Sequence, residues 1–186
     1  MKHLKSAFIV ALSFFTFLSM QTIYDYFKPN EVVAKEPEDF AFYEKQLTSL
    51  KVKTVEGKTL DFAKEKFPIV IINFWATWCA PCLEEFPSLV ELKKKYSNQI
   101  AIVGINQDLP ETIANVKKIR DRFKVNFDIV YDEKFKISEA FKFDTVPISL
   151  IYQNGKLLEI NRGAKNFMDS SFTDKIDEII TKKTKN

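Results

Sequence analysis

A chain of 186 residues, with 46% apolar and 28% charged residues, is long enough for one domain with a full hydrophobic core and a short appendage. Its net charge of +3 is too small for the strongly basic surface typical of nucleic-acid-binding proteins, so we expect no nucleic-acid partner. Two cysteines are too few for a disulfide-rich scaffold, so the stability of the domain has to come from packing.

Residues 1–27 have the pattern of a membrane-targeting segment. Lys2 and Lys5 precede an uncharged stretch from Ala7 to Ile23, whose length is at the lower limit for crossing a hydrocarbon layer of about 30 Å. The small-residue pattern of a signal-peptidase site does not follow it, which favours an uncleaved N-terminal anchor over a removed signal peptide. In both cases the positive-inside rule places the rest of the chain on the extracytoplasmic (periplasmic) side of the cytoplasmic membrane.

The chain then passes through a short linker into its folded part. Residues 28–36 are predicted to form the linker, and we expect one domain over residues 37–186. Pro37 and the two acids after it predict the start of a helix that ends near Ser49. Two short runs, Val52–Val55 and Thr59–Phe62, flank a Glu-Gly-Lys turn and predict a hairpin.

The apolar run Ile69–Trp75, interrupted only by Asn73, predicts a buried central strand. We expect the next helix to reach about Tyr96. Pro81 fits its first turn, where a missing N–H has no intrahelical partner, whereas Pro87 lies inside the helix and should kink its axis.

The second half of the chain alternates strand and helix patterns. The first predicted elements are a strand at Ile100–Asn106, a helix that begins at Leu109–Glu111, and a strand at Phe127–Tyr131. The helix has apolar residues at helical spacing, namely Ile113, Val116, Ile119 and Phe123. A helical turn at Ile137–Phe141, a hairpin of Ile148–Tyr152 and Leu157–Ile160 around Asn154-Gly155, and a helix from Phe172 to about Lys182 follow. This order predicts an α/β fold in which a layered sheet is covered on both faces.

The two cysteines, Cys79 and Cys82, stand three residues apart directly after the central strand. With no third cysteine in the chain, any intramolecular disulfide must join these two. A cysteine at a helix N-terminus has its thiolate stabilised by unpaired N–H groups and the helix dipole, which lowers its pKa from about 8.5 to roughly 3.5–7.5. We therefore expect Cys79 to be a nucleophile and Cys82, one turn further on, to attack the resulting mixed disulfide.

Three motifs occur together in this sequence. They are Asn73-Phe74-Trp75-Ala76-Thr77-Trp78-Cys79-Ala80-Pro81-Cys82, then Glu85 and Pro87, and then Val146-Pro147 further downstream. This combination resembles the thioredoxin superfamily, and within it the membrane-tethered TlpA/ResA type of bacterial thiol-disulfide oxidoreductase, from roughly Val52 to the C-terminus. The resemblance implies a thioredoxin-like domain with a central mixed β-sheet flanked by helices on both faces, tethered by the N-terminal membrane anchor.

The same resemblance assigns roles to individual residues. It implies that Cys79 attacks, that Cys82 resolves, and that Pro147 follows a cis peptide bond and faces the disulfide. A cis bond, which only an X-Pro peptide adopts at modest cost, would turn the Val146 backbone towards the sulfurs and a substrate strand. Ile148 departs from the threonine usual in the family, so the contribution of that hydroxyl is not carried over.

Glu85 is the third candidate catalytic residue. At about 100° per residue it lies on the same side of the helix as Cys82, where burial would raise its pKa and allow it to exchange a proton with that thiol. The alternative is a solvated side chain like that of Glu84. Thioredoxin proper carries a buried aspartate at the position of Asn73, and an asparagine cannot shuttle a proton. This difference favours Glu85 for that role. We expect Asn73 to be a hydrogen-bonded core residue.

Candidate substrate-binding residues surround the cysteines. Trp78 directly precedes Cys79, and Pro81 lies between the two cysteines. Val146 and Pro147 are the other two candidates. Trp78 either shields the sulfur and offers an apolar surface to a peptide or packs into the domain. His3, the single histidine, lies in the predicted anchor, so we expect neither a zinc site nor any other cofactor.

Three functions are compatible with these features. The first is an extracytoplasmic reductase that takes electrons from a membrane-embedded donor and reduces disulfides of exported proteins; the resemblance points to apocytochrome c. The second is a disulfide-forming oxidant, because the Ala80-Pro81 pair does not fix the reduction potential. The third is a redox-inactive module for binding or metal delivery. We expect a monomer in each case.

Overall fold

The computed structural model describes residues 40–184, with side chains to residue 182. The predicted anchor, the linker and the first residues of the first predicted helix lie outside this range. Within it, no helix is both long enough and apolar enough to cross a membrane.

Helices and strands follow the predicted order closely. The helices are α1 (Phe40–Ser49), α2 (Ala80–Tyr96), α3 (Ala114–Phe123), α4 (Lys136–Ala140) and α5 (Ser170–Thr184), and the strands are β1 (Lys51–Lys53), β2 (Thr59–Asp61), β3 (Ile69–Trp75), β4 (Ile100–Asn106), β5 (Asp128–Tyr131), β6 (Ile148–Gln153) and β7 (Lys156–Arg162). Short 3₁₀ turns lie at Ser97–Gln99, Pro110–Thr112 and Glu133–Phe135.

The main sheet is mixed, as the family resemblance implies. Its strand order is β5-β4-β3-β6-β7, with β3, β4 and β5 parallel to one another and β6 and β7 antiparallel to their neighbours. Trp75 pairs with Asn106, and Phe74 pairs with Ile148. The carboxyl ends of β3 and β4 therefore meet the beginning of β6 at one edge of the sheet.

The central strand β3 is buried along its whole length, so its alternating side chains supply two separate cores. One core lies under α2, α3 and α5, and we call this side of the sheet the α2 face. The other lies under α1, α4 and the β1–β2 hairpin, and we call it the α1 face. Helices cover both faces, as predicted.

The region between β4 and α3 differs from the prediction. Pro110 opens a 3₁₀ turn, and the α-helix begins only at Ala114. Ile113 therefore precedes the first helical turn and is 40% exposed, whereas Val116 is buried as expected. Helix α2 continues through Pro87 as one element.

Candidate active site

The two cysteines occupy the junction between strand β3 and helix α2. Cys79 is the N-cap of α2, with extended backbone angles of φ −89° and ψ 98°. The backbone N–H of Cys82 donates to Cys79 Sγ over 3.2 Å, so the sulfur takes the place of the oxygen of an ordinary capping side chain. Pro81 lies in the first turn, as predicted. The Cys82 N–H is thus positioned to stabilise a negative charge on Cys79 Sγ when the pair is reduced.

Cys79 and Cys82 form a disulfide, with an S–S distance of 2.00 Å and a Cα–Cα distance of 5.3 Å. Their exposures differ, because Cys79 is 5% exposed whereas Cys82 is fully buried. A substrate sulfur can reach the pair only from the side of Cys79. This order agrees with Cys79 as the attacking residue and Cys82 as the resolving one.

The loop before Cys79 is held by the end of the neighbouring strand. Asp108, which is 1% exposed, accepts a hydrogen bond from the Thr77 N–H over 2.9 Å, and the Gln107 N–H donates to the Trp75 carbonyl over 2.9 Å. Sequence reasoning missed Asp108. Its position directly after a buried parallel strand was a usable signal, because functional groups collect at the carboxyl ends of such strands.

The Val146–Pro147 peptide bond is cis. Pro147 is buried, its carbonyl accepts a hydrogen bond from the Gly163 N–H over 2.9 Å, and it directly precedes the β6 residue that pairs with the end of β3. Val146 is partly buried and packs against the core cluster that contains both cysteines. The structure therefore places the proline motif at the same edge of the sheet as the disulfide, and its role in substrate binding stays a prediction.

Trp78 is 70% exposed, the largest exposure among the large apolar side chains of the described residues. It is therefore not a core residue, and an apolar surface beside Cys79 faces solvent. Pro81 is exposed as well. The substrate-binding roles of these two side chains stay predictions.

Glu85 is buried, at 2% exposure, on the side of α2 that faces the sheet. One carboxylate oxygen accepts a hydrogen bond from Asn73 Nδ2 over 2.6 Å, and the other accepts from the Lys165 N–H over 3.2 Å. Asn73 Nδ2 also lies 2.9 Å from Ser149 Oγ, its neighbour on β6. Because Glu85 is buried, the alternative of a solvated side chain is wrong for this residue. Glu84, its neighbour in the chain, is exposed.

Burial raises the pKa of Glu85 to about 7, against the smaller opposing effect of the hydrogen bonds from Asn73 and Lys165. A carboxyl group with this pKa is present in both protonation states near neutral pH, which is the condition for efficient general acid–base work. Ser149 and the Lys165 backbone were not found from the sequence. The register of β6 could have indicated Ser149, whereas a backbone donor in a loop leaves no sequence signal.

A groove of about 440 Å³ lies beside Glu85, between α2 and the loop that joins β7 to α5. Ser88, Ala164 and Met168 are among its lining residues. The Ser88 hydroxyl donates to the Glu85 carbonyl over 2.7 Å and accepts from the Phe167 N–H over 3.1 Å, which ties the loop to the helix. Glu85 itself is among the residues that line the groove, whereas Trp78 is not.

A family model described as the AhpC/TSA family matches residues 43–158, which include the cysteines, Glu85 and the cis proline. The chain belongs to this family. It is 30% identical over 120 residues to the thioredoxin-like protein YneN of Bacillus subtilis, an alignment that covers 63% of this chain and 70% of that protein. It is 32% identical over 117 residues to the thiol-disulfide oxidoreductase ResA of Bacillus cereus, covering 62% of this chain and 66% of that protein.

Solved structures agree on the fold. A secreted Mycobacterium tuberculosis disulfide oxidoreductase, homologous to DsbE of E. coli, superimposes with a TM-score of 0.59 at 18% identity, over 74% of this chain and 97% of that one. The predicted resemblance to thioredoxin-like proteins of the ResA type is thereby confirmed. With its paired cysteines on this fold, the chain is a thiol-disulfide oxidoreductase.

Proposed function

We propose that this protein reduces disulfides of exported proteins on the outer side of the cytoplasmic membrane. The observation that carries the proposal is the placement of Cys79 as the N-cap of α2, with the Cys82 N–H directed at its sulfur. This placement favours the thiolate form of the residue that a substrate can reach.

The reaction consists of two exchanges. The Cys79 thiolate attacks one sulfur of a substrate disulfide, which forms a mixed disulfide and releases the first substrate thiolate. Cys82 then loses its proton and attacks Cys79 Sγ, which forms the Cys79–Cys82 disulfide and releases the second substrate thiolate. The substrate gains two electrons and the protein loses two, and both substrate thiolates take up protons.

Glu85 accepts the proton of Cys82 during the second exchange. Its pKa of about 7 lies between that of an ordinary carboxyl group and that of a thiol, and its burial on the same side of α2 places it near the resolving cysteine. Water in the groove beside α2 then takes the proton from Glu85.

The location and partners rest on the sequence. The basic start and the apolar stretch Ala7–Ile23 support an anchor, which would hold the domain outside the cytoplasm next to a membrane-embedded electron donor. The likeness to proteins named ResA supports apocytochrome c, whose paired cysteines must be reduced before haem attachment, as a substrate.

Reduction of insulin disulfides by the full chain, with dithiothreitol as the electron source, tests the activity. We expect the wild-type chain to accelerate insulin reduction. Cys79→Ser should give only the background rate, and Cys82→Ser should accumulate mixed disulfides with the substrate. An insulin reduction rate unchanged by the wild-type chain would refute the proposal.

Equilibration with glutathione buffers tests the direction of electron flow. A reductase should have a midpoint potential at or below about −260 mV, so that its dithiol passes electrons to substrates. A midpoint near about −120 mV, the value of a strong periplasmic oxidant, would instead make the protein a disulfide-forming enzyme.

A further inference from the structure

Exposed apolar side chains concentrate at the edge of the sheet that carries the disulfide. Among residues 40–182, seven large apolar side chains are exposed, and four of them follow the carboxyl ends of β3, β4 and β5. The four are Trp78 at 70%, Leu109 at 50%, Ile113 at 40% and Phe135 at 36%. Single exposed apolar residues are normal on a protein surface, but a group of them on one edge indicates an interaction site. We call these four residues the apolar strip.

The strip runs across three neighbouring strands. The last residues of these strands, Trp75, Asn106 and Tyr131, are aligned by the sheet register. Adjacent strands lie about 4.8 Å apart, so the strip extends roughly 10 Å from the β3 loop to the β5 loop. It begins beside Cys79 and leads away from the cis proline, which lies on the other side of β3.

Buried carboxylates hold the loops of the strip in place. Asp108 accepts the Thr77 N–H, which joins the loop of Trp78 to the loop of Leu109. Asp132 accepts the N–H groups of Ile137 and Ser138 over 2.8 Å each, and its own N–H donates to the Asn106 carbonyl over 2.9 Å. The apolar strip is thus built on fixed loops, which lowers the entropy cost of binding a partner.

The charged groups around the strip are of both signs, because the exposed Lys134 and Lys136 lie on either side of Phe135 in the chain. The Tyr131 hydroxyl has a raised pKa, first because of burial and then because of four nearby carboxylates, those of Glu111, Asp108, Glu133 and Asp132. Two of the four, Glu111 and Glu133, are exposed and flank the strip on the loops after β4 and β5. Because these charges are mixed, the apolar side chains are the feature of the strip that can distinguish one partner segment from another.

We propose that the apolar strip binds the polypeptide segment beside the substrate cysteine, and that it selects segments with apolar side chains. This inference rests on the proposed function, because it assigns the substrate class of that same site. An extended segment advances about 3.3 Å per residue, so the strip spans about three residues from the cysteine bound at Cys79.

Two matched peptide disulfides test the proposal on the reduced full chain. In the first, Phe and Leu follow the cysteine and Lys comes next; in the second, Ser replaces both apolar residues and Lys is kept. Each rate is divided by the rate of the same peptide with dithiothreitol, which removes differences in thiol reactivity. We expect kcat/KM for the first peptide to be about tenfold higher.

Binding is measured separately, with a fluorescently labelled version of the first peptide whose cysteine is replaced by serine. The double variant Leu109→Ser, Phe135→Asn should weaken this binding and abolish the rate ratio between the two peptides. Asn is chosen at position 135 because the backbone there is left-handed, with φ 56°, which Asn tolerates. Val55→Ser is the matched control, since Val55 is 40% exposed but lies beside Ile129, before the carboxyl end of β5.

The two measurements separate the possible failures. Equal normalised rates for both peptides, or a ratio that survives in the double variant, would overturn the apolar strip while leaving the reductase intact. Binding of the serine peptide without reduction of either disulfide would overturn the proposed function and leave the strip. If neither binding nor reduction occurs, both fall.

Discussion

The two faces of the main sheet are built by the same strands but contain different chemistry. On the α2 face, β3 and β6 place Asn73 and Ser149 against the buried Glu85 of α2. On the α1 face, the same strands place Phe74 and Leu150 in a core of apolar and aromatic side chains. Burying a carboxyl group costs free energy, whereas burying these apolar side chains gains it.

This contrast separates residues that provide stability from residues that provide chemistry. Phe74 packs against Phe141 and Phe143, with ring centroids 5.5 and 5.4 Å away. None of these three rings can carry a proton. The polar pair Asn73 and Glu85 lies instead on the face that contains the disulfide. The buried carboxyl group, which lowers stability, is therefore on the face where the proposed proton transfer takes place.

The largest expected effect is at Cys79. Cys79→Ser should lose all disulfide reduction above background, because the remaining thiol of Cys82 is fully buried. Insulin turbidity measures the loss, and circular dichroism should show an unchanged fold. Residual catalysis well above background in this variant would mean that Cys82 can be reached directly.

The next effect is on stability alone. Phe74→Ala on the α1 face should lower the free energy of unfolding by about 3–5 kcal/mol, because it opens a cavity at a fully buried ring. Urea unfolding measures the change. Below the transition, the rate constant of Cys79 with a small disulfide should match the wild-type value, and a large drop in that rate would show that the two faces are not independent.

Glu85 should make stability depend on pH. This carboxyl ionises near pH 4.5 in the unfolded state and near pH 7 in the folded state. Its contribution to the free energy of unfolding is therefore fully present below pH 4.5 and is lost as the pH rises to about 7. The loss should be of order 3 kcal/mol in the oxidised protein.

Unfolding of Glu85→Gln across the same range isolates that contribution. The unpartnered Asn73 Oδ1 can accept from the new amide, so the variant should fold and should gain stability over the wild type as the pH rises. Glu84→Gln, at an exposed site one residue earlier, is the matched control and should keep the wild-type slope. Parallel pH profiles for wild type and Glu85→Gln would show that Glu85 ionises as freely as in the unfolded chain.

The smallest of these effects is kinetic. Glu85→Gln should slow the attack of Cys82 on a preformed mixed disulfide about 10²-fold near pH 7 and remove the inflection near that pH from the rate profile. Rapid-quench alkylation followed by mass spectrometry measures this step. Glu84→Gln should retain the wild-type rate, and an equal rate in Glu85→Gln would assign Glu85 a structural role.

Much of this arrangement could be predicted from the sequence because the signals are local. The apolar run Ile69–Trp75, the proline at the start of α2 and the Asn154-Gly155 turn each determine nearby backbone geometry. The helical period also put Glu85 on the same side as Cys82, and family resemblance supplied the cis bond before Pro147.

The remainder depends on contacts between distant parts of the chain. The Lys165 N–H reaches Glu85 across 80 residues, and nothing in the local sequence marks that backbone donor. Asp108 closes the loop at Thr77 across 31 residues. The prediction that Ile113 belongs to the apolar side of helix α3 was wrong for a related reason. Its apolar side chain fits the helical period, but the α-helix begins one residue later, at Ala114.

The most direct test is the pH dependence of Cys79 alkylation in the fully reduced protein, followed residue by residue with mass spectrometry. Placement of this sulfur at the N-cap of α2 predicts an apparent pKa well below the ordinary thiol value of about 8.5, in the range of roughly 3.5–7.5. An apparent pKa at or above about 8.5 would contradict the account, because Cys79 would then gain no activation from the helix.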